Sequence, residues 1–438
     1  MNIDVARAVA DAVLYEGYLL YPYRASAQKN RSRWQFGVLM PAGYADTEPT
    51  EAAASQTECV LEYTGETVVR VLVRFLQVQR RTVQAWDPRA GGYGDVATLT
   101  VDGTPLTAWE EAVEHELVVE APVAELFGSG RSVPVHAKAG EETEPVRDGY
   151  GAVVGRLVRR RIALDGVVSL GAEPIPGPWR ALRLRVRVEN RTRLDPVPAR
   201  RADAVPAALV AVHAIIAARS GSFVSTLDPP EWARTGVEAC HNIGTWPVLA
   251  GTDGGRDVVL SSPIILYDHP AVAPESPGDL YDATEIDEIL TLRTLALTEA
   301  EKREARATDP RAAAIIDRVD TLDAATLDRL HGAIRYLRDV TGPVPTNEPP
   351  QGFPDTDSVT VAGTAVRRGS TVRLRPGVRR ADAQDMFLAG RLATVEAVLR
   401  DIEDQLYLAV TLPDDPGAEL QRAHGRYLYF NPDEVEPA

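Results

Sequence analysis

The chain has 438 residues, of which 45% are hydrophobic and 25% are charged. This composition is typical of a folded globular protein and excludes wholesale disorder, and the length predicts two or three domains. The formal net charge of −16 excludes a general binder of nucleic-acid phosphates, which needs a basic surface, although a local basic patch would survive that argument.

The number of cysteines and the N-terminal residues indicate the cellular compartment in which the protein works. Two cysteines, Cys59 and Cys240, exclude a disulfide framework and fit a reducing environment. The first residues carry Asp4 and Asp11 and lack the clean apolar segment of a secretory signal. No stretch approaches 18 uncharged apolar residues, so no membrane span is predicted. The sequence therefore favours a cytoplasmic protein.

A β-rich N-terminal domain is predicted over residues 1–200. Apolar positions at helical spacing predict a short helix within residues 1–15, and a strand is expected at residues 33–40. Residues 69–75 and 182–188 alternate between apolar and mostly basic side chains, as half-buried strands do. Several such strands, separated by glycine and proline turns, favour an antiparallel sandwich-like body.

A mixed helical segment, packed on the β domain, is predicted over residues 201–340. It begins with an apolar run at residues 202–217 that fits a helix. Residues 298–301 form a capping-box pattern, and the Asp-Pro pair at 309–310 predicts an N-cap followed by proline in the first turn. Residues 327–337 place their aliphatic side chains on one helical face.

The C-terminal part follows a proline-rich segment. Residues 341–357 contain five prolines and predict a stiff linker. Residues 358–438 have the size and rhythm of a small SH3-like barrel, with strands expected at 359–361, 371–374, 393–399, 407–412 and 427–430. The predicted fold class is therefore α+β and β-rich: an antiparallel β-sandwich-like body, a small helical segment and a C-terminal SH3-like barrel.

No motif in the sequence indicates a particular catalytic chemistry. Gly149, Gly151 and Gly155 miss the dinucleotide-binding spacing by one residue and follow charged residues instead of a buried strand, which favours a turn. The sequence contains no Walker A, HExxH or GxSxG motif and no paired CxxC. Binding is therefore a better prediction than catalysis, and enzymatic activity stays an open question.

Cys240 and His241 are adjacent and form a possible reactive pair. Neighbouring residues on a strand point to opposite faces, so a direct nucleophile–base pair is not expected. Cys240 fits a small buried hydrophobe better. The alternative of a reactive loop stays open because Asn242 and Trp246 add polar and aromatic side chains to the same glycine-containing stretch.

An acidic stretch begins at Asp268 and supplies candidate metal ligands. Asp268, His269, Glu285 and Glu288 carry the oxygen and nitrogen donors that suit Mg²⁺, Mn²⁺ or Ni²⁺, although their spacing matches no named metal loop. The alternative is a solvated helix start, where carboxylates interact favourably with the helix dipole. No cofactor is predicted, and a divalent metal is the alternative.

The N-terminal segment carries aromatic and basic side chains that predict a contact surface. Tyrosine, tryptophan and arginine are enriched at protein interfaces, and single-stranded nucleic acid also binds such surfaces. The net charge favours a protein partner over nucleic acid. The alternative is that these aromatics pack as core under a loop. The predicted partner-binding residues are Tyr21, Tyr23, Arg24, Arg33 and Trp34.

Several stretches together resemble a little-characterised bacterial family encoded in gene clusters for uptake [NiFe] hydrogenases. The C-terminal unit resembles domains attached to hydrogenase maturation factors. The stretches are VLYEG (13–17), LYPYRAS (20–26), RWQFGVL (33–39), LSSPIILYDHP (260–270), TEIDEIL (284–290), RADAQD (380–385) and GRYLYF (425–430).

The resemblance spans most of the chain, but its motifs have no established chemistry, so it transfers no catalytic residue. It implies an accessory or assembly protein that binds a hydrogenase subunit or a maturation protein. The alternative is a metal-dependent enzyme, or a nickel- or iron-handling factor, that uses the acidic region around His269.

Overall fold

The structure, a computed structural model, divides the chain into two compact units, Met1–Ile334 and Arg335–Ala438. No helix within the described residues is long and apolar enough to span a membrane. The described residues are 3–177, 180–252, 254–272, 278, 280–281, 287–322, 358–375, 390–400, 406–413, 428–430 and 432–437.

Among the described residues of the first unit, antiparallel strands are the predominant regular structure, as the sequence predicts. Residues 201–334 belong to this same unit and supply the last three strands as well as helices. The strands are β1 (Ala54–Asp87), β2 (Gly92–Val96), β3 (Thr98–Val101), β4 (Thr104–Thr107), β5 (Trp109–Pro122), β6 (Arg131–Ala137), β7 (Gly140–Arg147), β8 (Val153–Arg161), β9 (Leu164–Pro174), β10 (Ala181–Asn190), β11 (Leu209–Phe223), β12 (Trp246–Leu249) and β13 (Val258–Ser262).

Strand β1 is the axis of the sheet because its neighbours pair with it along both edges. One edge pairs successively with β10, β5 and β2, and the other with β11 and then β8. The main path runs β12-β13-β11-β1-β10-β9-β6, and β7 pairs with β8. In the described part of the chain, eleven strands join this sheet, and β3 and β4 form a separate hairpin.

The inner face of the sheet forms the main hydrophobic core. The alternating runs predicted at residues 69–75 and 182–188 both lie in this antiparallel sheet and point their apolar side chains into the same core, which confirms the prediction. Each aliphatic side chain buried there contributes about 1.5–3 kcal/mol of transfer free energy. The core side chains of these two runs are Val69, Val71, Val73, Phe75, Leu182, Leu184, Val186 and Val188.

The N-terminal helix packs on the opposite face of the sheet, whereas Val123 and Leu126 of a later short helix belong to the main core. The predicted leading helix is present, and its Val9 and Val13 pack against Leu72 of β1 and Ile215 of β11. The helices are α1 (Asp4–Leu14), α2 (Ala42–Ala45), α3 (Val123–Leu126), α4 (Arg201–Ala204), α5 (Arg234–Glu238), α6 (Asp287–Leu295), α7 (Glu299–Thr308) and α8 (Pro310–Asp320).

The predicted helix starts are confirmed at α7 and α8. Thr298 and Glu301 form a reciprocal capping box at the start of α7. Asp309 caps α8 by accepting a hydrogen bond from the backbone N–H of Arg311, and Pro310 occupies the first helical position. Residues 327–337 and the linker at 341–357 lie outside the described residues.

Two predicted elements are wrong. The apolar run at residues 202–217, predicted as a helix, is mostly strand β11. Its β-branched and small residues are buried on both faces of the sheet, and such a run has no hydrophobic periodicity that distinguishes a strand from a helix. Residues 33–40 form no regular strand, and Leu39 alone makes bridges, to Leu209 and Ala52. The neighbouring backbone bends away at Trp34 and Gly37, which have φ angles of 63° and 55°.

The second unit contains the strands expected from the sequence and two that were not predicted, β15 and β20. Five strands form a sheet in the order β19-β18-β17-β16-β20, and β14 pairs with β15. The SH3-like barrel stays a prediction. The strands are β14 (Ser358–Val361), β15 (Thr364–Arg367), β16 (Thr371–Leu374), β17 (Leu392–Arg400), β18 (Leu406–Thr411), β19 (Leu428–Phe430) and β20 (Val435–Pro437).

A polypeptide of residues 358–438 should fold on its own, because the unit has its own core, which includes Val372, Val395, Leu408 and Val410. Its stability should be modest, since roughly eighty residues bury little apolar area. A cooperative thermal transition and well-dispersed amide resonances are expected. A non-cooperative melt with collapsed amide resonances would contradict independent folding.

A buried histidine makes the stability of the first unit depend on pH. His213 of β11 is 1% exposed, and its Nδ1 lies 2.8 Å from the carbonyl oxygen of Ala211. It pairs in register with Arg74 of β1. Burial lowers the pKa of His213 to about 4, with the Arg74 charge acting in the same direction. The folded protein therefore holds this imidazole neutral where the unfolded chain would protonate it.

Stability should fall as the pH decreases from about 6.5 towards 4, because only the unfolded chain gains a proton at residue 213 in that range. The slope from this group approaches about 1.4 kcal/mol per pH unit. Urea unfolding of the wild type and of His213→Gln at pH 7 and pH 5 isolates the effect. Relative to that of the variant, the free energy of unfolding of the wild type should be lower at pH 5 than at pH 7 by at least ~1 kcal/mol. An unchanged difference would contradict a neutral buried His213.

Candidate functional site

Three of the predicted partner-binding residues are core residues. Tyr23, Arg33 and Trp34 lie in the N-terminal segment, and no more than 5% of each is exposed. A partner cannot contact side chains that the protein already encloses. The alternative weighed from the sequence, aromatics packed under a loop, describes these positions, and the expectation of exposed anchors is corrected for all three.

Arg33 is enclosed by aromatic rings and backbone oxygens. Its guanidinium lies 3.6 Å from the ring centroid of Trp109 and 4.7 Å from that of Trp34. Nη1 donates to the carbonyl oxygen of Tyr18 at 2.8 Å, and Nη2 donates to that of Glu110 at 2.9 Å. Burial lowers the pKa of Arg33 to about 10, so it stays charged at neutral pH. The charge is stabilised by these oxygens and π faces.

Tyr21 and Arg24 are partly exposed and hold the N-terminal segment on the helices. Arg24 forms ion pairs with Glu301 at 3.2 Å and with Glu304 at 3.8 Å. The hydroxyl of Tyr21 donates to the carbonyl oxygen of Arg293 at 3.4 Å. Both side chains therefore have partners within the chain, and binding of another protein at these two positions stays a prediction.

The candidate metal ligands are brought together only in part. One carboxylate oxygen of Asp268 accepts from the backbone N–H of the last residue of β12 at 2.8 Å, and the other accepts from the hydroxyl of Ser225 at 2.5 Å. His269 follows directly, whereas Glu285 and the side chain of Glu288 lie outside the described residues. Within those residues, no group of three histidine, cysteine or acidic side chains is placed to hold a metal. The divalent-metal site stays a prediction.

Cys240 and His241 do not form an activated pair. Cys240 Sγ donates to the carbonyl oxygen of Gly236 at 3.4 Å, and burial raises the pKa of this thiol to about 11. A reactive thiol needs the opposite shift. His241 is exposed, and its backbone N–H donates to the carboxylate of Glu58 at 2.8 Å. The loop that follows Cys240 is thus held by its backbone.

Glu58 anchors this loop from beneath. It is 0% exposed, and one carboxylate oxygen accepts from Arg185 Nε at 2.5 Å. Arg183 lies 3.5 Å from the other oxygen. The backbone N–H of Glu58 donates to Asn242 Oδ1 at 2.8 Å. A buried carboxylate with this many partners strongly resists rearrangement, because the loss of one partner leaves an uncompensated charge.

The anchored loop joins a partly exposed row of side chains on the outer face of the sheet. Gln56 of β1 pairs in register with Arg187 of β10 on one side and bridges to Ile243 on the other. Directly opposed residues of antiparallel strands project to the same face, so these three side chains are neighbours. Ile243 and Trp246 are 47% and 44% exposed. Sequence spacing could not reveal this row, because the pairing register alone creates it.

A cavity of about 440 Å³ opens beside Trp246, and we call it the tryptophan cavity. Phe36, Pro263 and Trp246 contribute apolar lining. Arg201 and Glu51 add a charged pair, with Arg201 Nε donating to a Glu51 carboxylate oxygen at 2.5 Å. The cavity therefore offers an apolar wall with an ion pair, lying beside an exposed aromatic ring.

Gly37 places one wall of the tryptophan cavity. Its φ of +55° is strained for residues with a side chain. A Cβ there would lie 2.9 Å from both the backbone nitrogen of Val212 and Cγ of Pro263. The missing side chain lets the backbone N–H of Val212 donate to the carbonyl oxygen of Gly37 at 2.9 Å. This close approach fixes residues 36–39 against β11.

A second cavity, of about 650 Å³, lies at the end of β10, and we call it the arginine cavity. Arg187, Arg191 and Arg193 contribute to its lining together with small apolar residues. Ala54 at the start of β1 lines both cavities. Sequence analysis identified Trp246 as part of a possible functional loop, and the alternating arginines of β10 as a strand, but nothing in the sequence connected them.

Comparisons with known proteins leave the family open. No protein-family model matches the sequence, and no curated protein has a significantly similar sequence.

Both thiols should react slowly in the folded protein. With a pKa near 11, only about 0.1% of Cys240 is thiolate at pH 8, against roughly a quarter of an ordinary cysteine. Burial also raises the pKa of Cys59. Titration with a chromogenic disulfide reagent should therefore show slow labelling that accelerates with pH up to 10, and two rapidly labelled thiols after denaturation. Fast labelling of Cys240 at neutral pH would revive the reactive-loop hypothesis.

Proposed function

We propose that this chain is an accessory protein that binds a hydrogenase subunit or a maturation protein during [NiFe] hydrogenase assembly. The sequence resemblance supports the hydrogenase context. The exposed ring of Trp246 beside the tryptophan cavity supports the binding role, and it is the observation that carries the proposal. The net charge of −16 supports a protein partner over nucleic acid. The cytoplasm is the compartment proposed for this role.

The residue types around Trp246 support a docking surface. Exposed tryptophan and arginine carry a large share of binding free energy at protein interfaces, and they do so beside pockets that exclude water. Ile243 lies on the same loop, and Ile265 and Tyr267 are 72% and 86% exposed just beyond β13. Ile243 and Trp246 are three residues apart, and grouped exposed apolar side chains are typical of contact surfaces.

The C-terminal unit supports a second contact. We propose that it is an SH3-like barrel, because five of its described strands form a sheet in the order β19-β18-β17-β16-β20 and a 3₁₀ turn at Pro432–Glu434 precedes the last strand. Two binding units joined by the proline-rich segment would raise the effective concentration of the second contact once the first has formed.

Replacing Trp246 by alanine should weaken partner capture by at least ~2 kcal/mol, or roughly 30-fold, as loss of an interface anchor does. The matched control is Trp86→Ala, because Trp86 is 45% exposed and lies on the distal end of β1. The assay is affinity capture from cells that make an uptake [NiFe] hydrogenase, followed by mass spectrometry of hydrogenase subunits and maturation proteins. Thermal midpoints of both variants should stay near that of the wild type.

Two results would contradict the proposal. In one, hydrogenase components are absent from the wild-type capture. In the other, Trp246→Ala and Trp86→Ala capture them equally well. Metal analysis of the purified protein tests the rival enzyme or metal-handling hypothesis separately, since stoichiometric nickel or iron that is lost in His269→Ala would favour it.

A further inference from the structure

The arginine cavity has the form of a small-molecule site. Its volume of about 650 Å³ lies within the range of roughly 300–1,000 Å³ that is typical of ligand pockets. Pro41, Ala42, Ala53 and Leu194 contribute small or compact apolar surfaces. Such a lining accommodates the apolar part of a ligand, and a few polar side chains then determine which ligand binds.

The polar groups of this cavity are positively charged on balance. Three arginines against Glu189 and Asp195 leave one net positive charge, in a chain whose net charge is −16. Glu189 accepts from Arg187 Nε at 2.6 Å and from Arg191 Nη2 at 2.8 Å. A locally positive cavity in an acidic protein concentrates anions.

Several arginine N–H donors of the cavity have no hydrogen-bond partner among the described residues. Arg187 uses only Nε towards Glu189, which leaves both of its Nη groups without a partner among the described residues. Arg193 is exposed, and the described residues give its guanidinium no hydrogen bond or ion pair. Arginine N–H groups recognise carboxylates in a bidentate geometry, so these donors suit an anionic head group.

Tyr44 adds a polar group that has no partner in this part of the chain. The residue is 5% exposed and lines the cavity, and its hydroxyl makes no hydrogen bond with any described residue. A ligand oxygen in the cavity would accept a hydrogen bond from this hydroxyl, which would add a neutral donor to the arginine N–H groups.

We infer that the arginine cavity binds a small organic anion, a carboxylate or sulfonate carried on a compact apolar body. The arginine N–H groups and the Tyr44 hydroxyl bind the anionic group, and the proline, alanine and leucine side chains contact the body. This site goes beyond the proposed function and is independent of it, because Trp246 does not line the arginine cavity and the ligand is not a protein.

Two fluorescent probes that differ only in a sulfonate test the inference on the full chain. They are 8-anilino-1-naphthalenesulfonate and its uncharged parent, N-phenyl-1-naphthylamine. The anionic probe should bind at one saturable site, with an affinity about tenfold or more above that of the neutral probe, because only the sulfonate engages the arginines. Equal affinities, or no saturable binding of the anionic probe, would overturn the inference.

Single substitutions locate the site. Arg187→Gln and Arg193→Gln should each weaken binding of the anionic probe by about three- to tenfold and leave the neutral probe unaffected. Tyr44→Phe should weaken the anionic probe by about two- to fivefold. The matched control is Arg200→Gln, which makes the same change in net charge at an exposed arginine that pairs with Asp203 and does not line the cavity. If Arg200→Gln weakens binding as much as the cavity variants do, the effect is one of net charge and the site is wrong.

Discussion

The hydrogen bonds along both edges of β1 are the constraint on which the first unit depends. The strand is 34 residues long and crosses the interior, so its backbone groups must be paired by protein. Five strands supply those partners, and its pairing with β11 shifts register between Tyr63 and Val68 and between Arg74 and Leu76. Such irregularities bend a strand and allow it to serve successive neighbours.

The bent sheet leaves an outer face that must be covered, and the N-terminal residues help to cover it. Helix α1 packs on Leu72, and the following segment encloses Arg33 between Trp34 and Trp109. The hydroxyl of Tyr18 donates to Asp309 at 2.5 Å, which connects this segment to the start of α8. Residue types that are typical of protein–protein interfaces therefore form a packed contact inside this protein. Tyrosine, tryptophan and arginine serve both purposes for the same reason, since each combines a large apolar surface with a polar group.

The tryptophan cavity lies beside the second irregularity of β1, because Val212 of β11 lines it. The paired strand β11 has a positive φ at Ala211, and there residues 36 and 37 accept hydrogen bonds from the backbone N–H groups of Ala211 and Val212. That contact holds residues 36 and 37 in the wall of the tryptophan cavity. Ala54 borders both cavities, so a ligand in one and a partner at the other would lie on adjoining surfaces.

The sequence by itself determined the elements whose signals are local. The alternation in β1 and β10, the caps of α7 and α8 and most C-terminal strands depend on neighbouring residues, and all were predicted. The tertiary structure decided the rest. It made residues 209–217 a strand, since an apolar run without periodicity takes the structure of its neighbours, and it buried Arg33 and Trp34, whose types do not reveal exposure. It also placed Ile243 and Arg187 on either side of Gln56, because strand register acts between residues distant in the chain and leaves no trace in their spacing.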